Sequence, residues 1–141
     1  MKKLLSVILL LSMVFCLVMS ASAETTDDYS VTPRYNYATR ADSYLTIVNS
    51  NTGVCESYAK GLVGVTKITV VQTIEKHWAL GIFFRVDNAS WTTTKYTNEA
   101  TVINRMYNME SGTYRMVTDF TFYYGDQTEK ITVYSAEATV A

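Results

Sequence analysis

The sequence predicts an all-β fold, a sandwich of seven antiparallel strands, with a closed barrel as the alternative. Three observations favour this class. From Tyr44 onward, β-branched and aromatic residues dominate, with period-two stretches and turn signals between them. No long stretch combines a helical period with helix caps. Apolar residues make up 48% of the 141 residues and aromatic residues 13%, far from a disordered composition.

The first 23 residues have the pattern of a signal peptide. Lys2 and Lys3 form a positive start, Leu4–Val18 is largely apolar, and Ala21-Ser22-Ala23 is a small-x-small cleavage site. A retained membrane helix is the rival interpretation, but the apolar stretch is short for a span of about 20 residues and no charged stop-transfer cluster follows. We therefore expect an exported, extracellular chain that begins at Glu24 and keeps no stable membrane anchor.

Cleavage leaves one domain with a short arm before it. Residues 24–41 are predicted as a flexible N-terminal arm and residues 42–141 as the β-sandwich domain. Pro33 cannot donate to a sheet ladder, so its segment is expected at an edge or as a wrapping arm. Of the 12 basic residues, Lys2 and Lys3 leave with the signal peptide, and the other 10 nearly balance 13 acidic residues. This near-balance points away from nucleic acid as a partner.

Seven strands are predicted in the domain, each bounded by turn residues. They are placed near Tyr44–Asn49, Val54–Lys60, Thr66–Glu75, Trp78–Val86, Tyr96–Asn104, Thr113–Tyr124 and Glu129–Thr139.

The alternation of side chains is clearest near the C-terminus. In the seventh strand Ile131 and Val133 point inward, and Gly125-Asp126 before it is a two-residue hairpin turn, because glycine accepts positive φ. Val70 and Val71 break the alternation of the third strand, which indicates a bulge or a strand buried on both faces. Asn88–Asn98 is interpreted as a loop with some extended structure. The inward face of the sixth strand is predicted to carry Tyr114, Met116, Phe120 and Phe122.

A short motif before the sixth strand resembles the tyrosine corner of immunoglobulin-like sandwiches. It consists of Glu110, Gly112 and Tyr114, an acid, a small residue and a tyrosine at alternate positions. In that family the tyrosine hydroxyl bonds back to the backbone across the corner. Met116 stands where antibody domains have their second cysteine, and Cys55 is the only cysteine of the mature chain. The resemblance therefore implies a seven-stranded immunoglobulin-like sandwich without a disulfide, closer to fibronectin type III.

Nearly all of Val31–Val140 also resembles a family of small secreted proteins of Gram-positive bacteria that remain uncharacterised. This resemblance implies an immunoglobulin-like sandwich and a cell-envelope or extracellular setting, and it implies no known activity. The shared features are Pro33-Arg34-Tyr35, Cys55-x-Ser57-x-Ala59 before Gly61, a strand near Ile68–Gln72, Trp78, Gly112-Thr113-Tyr114-Arg115, and Glu129–Ser135.

Residues for catalysis or metal binding are scarce. A Cys55–His77 dyad is conceivable, but we expect Cys55 to be buried on its strand and His77 to be exposed in a turn. One histidine and one mature cysteine exclude zinc clusters built from those residues. The aspartates follow no calcium-loop pattern, although loops of a sandwich can gather distant carboxylates. We therefore predict no enzyme, no catalytic residues, no cofactor and no metal.

Exposed aromatic side chains are the predicted binding residues. Trp91 lies in a polar run between strands, where a buried position is hard to arrange, and Tyr123 and Tyr134 should face outward and form a ladder with Arg115. The alternative is that such pairs only stabilise the sheet. Other aromatic residues are assigned to the core, namely Trp78, Phe83 or Phe84, and Tyr114.

The expected function is that of an exported, non-enzymatic binding or structural module at the cell envelope or outside the cell. Its partner would be an envelope polysaccharide or another protein. The alternative is a secreted effector, such as a small toxin, bacteriocin-like protein or inhibitor, that acts by contact.

Overall fold

A computed structural model describes residues 35–141, and in this part of the chain the secondary structure is eight β-strands with no helix. The predicted signal peptide and most of the predicted arm lie outside the described residues. The all-β class is confirmed. The strands are β1 (Ala38–Val48), β2 (Thr52–Gly61), β3 (Val65–Ala79), β4 (Ile82–Lys95), β5 (Glu99–Met106), β6 (Gly112–Tyr124), β7 (Gln127–Tyr134) and β8 (Ala138–Val140).

The strands form two antiparallel sheets that pack into a sandwich. One sheet has the order β1-β2-β5, and the other has the order β4-β3-β6-β7, with β8 also paired to β6. The first, second and fifth strands thus share one sheet and the third, sixth and seventh share the other, a division that immunoglobulin domains also have. β4 lies beside β3, whereas in constant-type immunoglobulin domains the fourth strand lies beside the fifth. β4 is therefore a long edge strand.

The eighth strand arises because the predicted last strand is interrupted. Ser135 lies between β7 and β8, and its hydroxyl accepts a hydrogen bond from the backbone N–H of Met116 at 2.8 Å. The N–H of Ser135 in turn donates to the carbonyl oxygen of Met116 at 2.9 Å. The Ser135 hydroxyl thus takes the place of a backbone carbonyl as the acceptor for Met116. The hydrogen bonds of β6 continue although its neighbour is divided into β7 and β8.

The predicted fourth strand, Trp78–Val86, is misplaced, because the turn at Leu80 and Gly81 divides it between β3 and β4. β4 also continues to Lys95, through most of the run interpreted as a loop. Between the pairs Thr73–Ser90 and Glu75–Arg85, one β3 residue faces four residues of β4, numbers 86–89. Asn88 within this bulge has a φ of 57°, a conformation that asparagine tolerates better than most residues. The bulge broke the sequence pattern without ending the strand. The Gly125-Asp126 hairpin turn is confirmed by the pairing of Tyr124 with Gln127.

A layer of polar side chains divides the core between the sheets. The inward-facing residues predicted on β6 are buried, and so are Gln72 and Thr118, which lie among them. Val70 faces inward and Val71 outward, so no bulge occurs there, and β3 has register shifts elsewhere. On one side of the polar layer the core contains Ile68, Val70, Phe120, Phe122 and Ile131. On the other side, here called the upper core, it contains Leu45, Cys55, Ile74, Met109, Tyr114 and Met116.

The start of β1 is attached to the other sheet by one carboxylate. Glu129 of β7 accepts hydrogen bonds from the backbone N–H groups of Asn36, Tyr37 and Ala38, at 2.7, 2.7 and 3.0 Å. The Tyr37 ring also stacks on Tyr124, with 5.1 Å between ring centroids. β1 therefore begins at Ala38, earlier than the strand predicted near Tyr44.

Candidate binding surface

The hairpin between β3 and β4 extends beyond the point where β3 stops pairing with β6. Lys76, opposite Tyr114, is the last β3 residue that pairs with β6. β3 nevertheless continues to Ala79 and pairs there with Ile82, the first residue of β4. Residues 77–84 therefore form a two-stranded projection, here called the ribbon.

The ribbon exposes large apolar side chains. The exposed fractions are 97% for Leu80, 72% for Trp78, 56% for Phe84 and 45% for Ile82. The Trp78 and Phe84 rings meet edge to face, with 5.9 Å between centroids. Trp78, which was predicted in the core, is thus one of the exposed aromatic residues, because the pairing of β3 with β6 stops at Lys76 and Tyr114. The prediction of core burial is wrong for Trp78, and neither Phe83 nor Phe84 lies in the core: Phe84 is exposed, and Phe83 is half-buried on the outer face.

The turn of the ribbon contains a conformationally unfavourable leucine. Leu80 and Gly81 are the two central residues, and both have positive φ, 52° and 77° respectively. This is the requirement of a type I′ turn, for which Asn-Gly is preferred. A left-handed conformation costs a residue such as leucine about 1–2 kcal/mol. Leu80 is therefore unfavourable here in two ways, in its backbone conformation and in its exposure to water.

The outer side of the ribbon base contains two of the predicted binding residues. The Arg115 guanidinium lies over the Phe83 ring at 4.0 Å and over the Tyr134 ring at 4.7 Å from the centroids. It also pairs with the Glu75 carboxylate at 2.8 Å. His77 contacts Phe83 as well, with 5.1 Å between ring centroids. Arg115 and Tyr134 are therefore brought together beside the ribbon.

Tyr123 lies far from this cluster. It shares the outer face of β6 with Arg115 but is eight residues away, which corresponds to about 26 Å along a strand. Its ring lies under the ammonium group of Lys67, at 3.7 Å from the centroid. The expected ladder of both tyrosines with Arg115 does not form.

Trp91 is also placed differently from the expectation. It lies on β4 opposite Gln72, on the inner face, and packs half-buried against the upper core. The polar residues around Trp91 suggested a loop, but in an edge strand they face outward while the indole faces inward. The expected exposure of Trp91 is wrong.

The inner side of the ribbon base is built on the tyrosine corner. The buried Tyr114 donates its hydroxyl hydrogen to the carbonyl oxygen of Glu110 at 2.8 Å, as in the corner that the motif resembles. The Lys76 ammonium lies 5.4 Å from the centre of the Tyr114 ring and 3.2 Å from the Glu110 carboxylate. Gly112 has a φ of 147°, and a Cβ there would lie 2.7 Å from Lys76 Cε. Glycine thus leaves room for the lysine that joins the ribbon to the corner.

A small cavity of about 290 Å³ opens beside this corner. It adjoins the ribbon, because Lys76 is both a lining residue and the cross-strand neighbour of Phe84. Both charged or polar residues and apolar ones line it. The lining residues are Lys76, Val86, Asp87, Met106, Asn108, Glu110 and Tyr114.

The structure does not bring Cys55 and His77 together. Cys55 is fully buried on the inner face of β2, as expected, and burial raises the pKa of its thiol to about 12. His77 lies on β3 rather than in a turn, half-buried on the outer face, and its Nε2 accepts a hydrogen bond from the N–H of Gly81 at 3.2 Å. Among residues 35–141 there is no group of three or more histidine, cysteine or acidic side chains suited to a metal ion.

Comparison with known proteins gives no family assignment, since no family model and no curated protein matches this chain. The resemblance to small secreted Gram-positive proteins stays a prediction. Within the described part of the chain, no helix is long and apolar enough to cross a membrane.

Proposed function

We propose that this protein is an exported, non-enzymatic β-sandwich module that binds a partner at the cell envelope or outside the cell. The observation that carries the proposal is the ribbon, which projects from the sheet with four large apolar side chains exposed. Contiguous exposed apolar surface on a small soluble domain is a mark of an interaction site.

The energetics of the ribbon support a binding role. Burial of one large apolar side chain contributes about 1.5–3 kcal/mol, and all four residues still expose about half or more of their surface in the free protein. A two-stranded hairpin is marginally stable in water without further cover. Leu80 adds the cost of its positive φ. A partner that covers these side chains would supply the missing burial.

The base of the ribbon supports the same proposal. On the outer side Arg115 contacts the Phe83 and Tyr134 rings and pairs with Glu75. On the inner side Lys76 contacts the Tyr114 ring of the tyrosine corner. These contacts hold the projecting strands on a rigid part of the sandwich, as a preformed binding element requires. The buried thiol of Cys55, with its raised pKa, is unsuited to nucleophilic catalysis, which supports a non-enzymatic role.

The test compares two exposed aromatic residues at opposite ends of the large sheet. Trp78→Ser changes the ribbon, whereas Tyr96→Ser changes a residue that is 84% exposed after the far end of β4. The mature chain, Glu24–Ala141, is assayed for saturable retention on envelope polysaccharide, cell-wall and membrane fractions. We expect Trp78→Ser to weaken retention about tenfold, the effect of losing one buried apolar side chain. Tyr96→Ser should leave it unchanged.

Circular dichroism of each variant separates lost binding from lost folding. Equal retention of both variants, with intact circular dichroism, would contradict the assignment of the ribbon as the binding element. Retention by neither the variants nor the unchanged protein on any fraction would contradict the binding role itself.

The second candidate is a secreted effector that acts by contact, and the same exposed ribbon favours it. This function requires that the purified mature protein inhibit growth of a neighbouring strain and that Trp78→Ser reduce the inhibition. Retention on the envelope without any growth effect would favour the binding module instead.

A further inference from the structure

We propose that the partner of the ribbon is an anionic lipid surface, into which the ribbon inserts its tip at the boundary between headgroups and acyl chains. This inference deepens the proposed function and rests on it. The proposal rests on one observation: the ribbon exposes apolar side chains at its tip, and cationic side chains lie at its base.

The charge pattern of the hairpin fits an anionic surface. From Lys76 to Arg85 the chain contains no acidic residue, carries basic residues at both ends and includes five large apolar residues between them. The mature chain as a whole has more acidic than basic residues, so this segment differs in sign from the rest of the protein. Basic residues beside an apolar segment are the pattern of membrane-surface binding elements.

One of the basic side chains is available to a phosphate group. Arg85 lies opposite Glu75 across the strands, but the Glu75 carboxylate is held by Arg115 at 2.8 Å. Within residues 35–141, the exposed Arg85 makes no ion pair. The Glu110 carboxylate at the same level is paired with Lys76. Two of the acidic groups near the base, Glu75 and Glu110, are therefore paired, whereas Asp87 makes no ion pair among the described residues. The Arg85 guanidinium faces solvent.

The spacing along the ribbon fits the depth of the lipid interface. At about 3.3 Å per residue, Trp78 lies about 7 Å from the turn, and Lys76 and Arg85 lie about 13 Å from it. Interfacial elements bury their apolar side chains about 5–10 Å into the boundary region. Leu80 would then reach the acyl chains, Trp78 the interface that tryptophan prefers, and Arg85 the phosphate layer.

The backbone of the ribbon is suited to a lipid environment. The pairs Ala79–Ile82 and His77–Phe83 belong to the strand ladder, which satisfies backbone groups that would otherwise oppose insertion. The exposed apolar side chains lie on one face and at the tip. Phe84 and Trp78, whose rings meet, lie on the face of Lys76, whereas Phe83 on the opposite face is half-buried beneath Arg115.

Leu80 gives the experiment two readouts of opposite sign. Asparagine accepts the left-handed conformation of a type I′ turn, so Leu80→Asn should raise the Tm, by about 4 °C. The same change removes the apolar side chain that reaches deepest into the lipid. If Leu80 served only the fold, its replacement by asparagine would not raise the Tm and weaken vesicle binding at the same time.

The binding measurement uses vesicles of phosphatidylglycerol and phosphatidylcholine, with vesicles of phosphatidylcholine alone for comparison. We expect the mature protein to sediment with the anionic vesicles, and Leu80→Asn to weaken this association about tenfold. Arg85→Gln should reduce it and lower its dependence on salt. Val63→Asn is the matched control, because Val63 is a 91% exposed aliphatic residue in the β2–β3 turn at the other end of the sheet.

Tryptophan fluorescence locates the inserted residue. In the Trp91→Phe background, Trp78 is the remaining tryptophan. Its emission should shift to shorter wavelength with anionic vesicles and be quenched by brominated acyl chains. Vesicle binding that is equally strong in Leu80→Asn, or that leaves the Trp78 emission unchanged, would overturn the insertion.

The two proposals fail in distinguishable ways. If the protein ignores vesicles but Trp78→Ser loses retention on polysaccharide or on a protein partner, the lipid inference is overturned and the binding module stands. If the folded protein binds no vesicle, polysaccharide or envelope fraction, both are overturned.

Discussion

Gln72 shows how a single polar residue organises the centre of the sandwich. Its side chain is fully buried, and its Nε2 donates to Ser57 Oγ at 2.8 Å, while Asn104 Nδ2 donates to its Oε1 at 2.7 Å. Thr118 joins the same layer through hydrogen bonds with Ser43 and Ser57, at 2.9 and 3.0 Å. The layer connects both sheets, and it includes the Ser57 of the cysteine-serine-alanine motif noted in the sequence.

Replacement of Gln72 by leucine should lower the free energy of unfolding by about 2 kcal/mol. The leucine keeps the volume but removes the acceptor of the Asn104 amide and the donor to the Ser57 hydroxyl, which keeps only its hydrogen bond with Thr118. Urea unfolding measures the change. The double variant Gln72→Leu/Asn104→Leu should be less destabilised than the sum of the single variants, because their shared hydrogen bond is lost only once. Strict additivity would contradict the network.

The buried thiol of Cys55 makes a second prediction, on pH dependence. Its pKa in the fold is about 12, against an ordinary value of 9.0, because burial opposes the thiolate. A raised pKa means that the contribution to stability is fully present below pH 9 and is lost as the pH rises toward 12. The free energy of unfolding should therefore fall across this window by up to about 1.4 kcal/mol per pH unit.

The Cys55→Ala variant separates the thiol from the tyrosines and lysines that titrate in the same range. Its unfolding free energy should fall less steeply above pH 9 than that of the unchanged protein. Identical slopes would mean that the thiol does not contribute. Iodoacetamide at pH 8 should leave Cys55 unmodified in the folded protein and modify it in urea.

At the scale of elements, the sequence pattern predicted strands well and their ends poorly. The inward-facing residues named on β6 and β7 were predicted correctly, because neither strand contains a bulge that would disturb the alternation of side chains. β4 was cut short because its bulge at residues 86–89 disturbs the period-two pattern. The division of the last strand depends on Ser135, whose hydroxyl acts as a backbone substitute only in the folded chain. A side chain that takes the place of a backbone group in the hydrogen bonds of a sheet leaves no periodic signal in the sequence.

The attachment of β1 to β7 through Glu129 is an element-scale prediction. Glu129→Ala removes the acceptor of three backbone N–H groups, at Asn36, Tyr37 and Ala38, and should lower the free energy of unfolding by about 2 kcal/mol. Glu137→Ala, a change at an exposed position between β7 and β8, is the control and should be nearly neutral. Limited proteolysis should then cut the Glu129→Ala protein near the start of β1. Equal resistance of both variants would contradict the attachment.

At the scale of the whole molecule, the candidate site could be predicted only in part. Arg115 and Tyr134 were named, since an outward position on a strand can be predicted from alternation. The ribbon was missed because the exposure of Trp78 depends on where β3 stops pairing with β6, a tertiary fact that no local pattern contains. The positive φ of Leu80 was missed for a related reason, since leucine before glycine is not a turn signal.

The same architecture predicts a gradient of local stability from the centre of the sandwich to the ribbon. β3 and β6 lie between paired strands and carry buried residues of both parts of the core, whereas residues 77–84 have one partner strand and no cover from β6. Hydrogen exchange should therefore be slowest in the middle of β3 and β6 and fastest in the ribbon, which can open without global unfolding. Addition of anionic vesicles should slow exchange in the ribbon and leave the far turns unchanged. A ribbon as protected as β6 in the free protein would mean that it is already covered, and dilution would then show whether a second copy of the chain covers it.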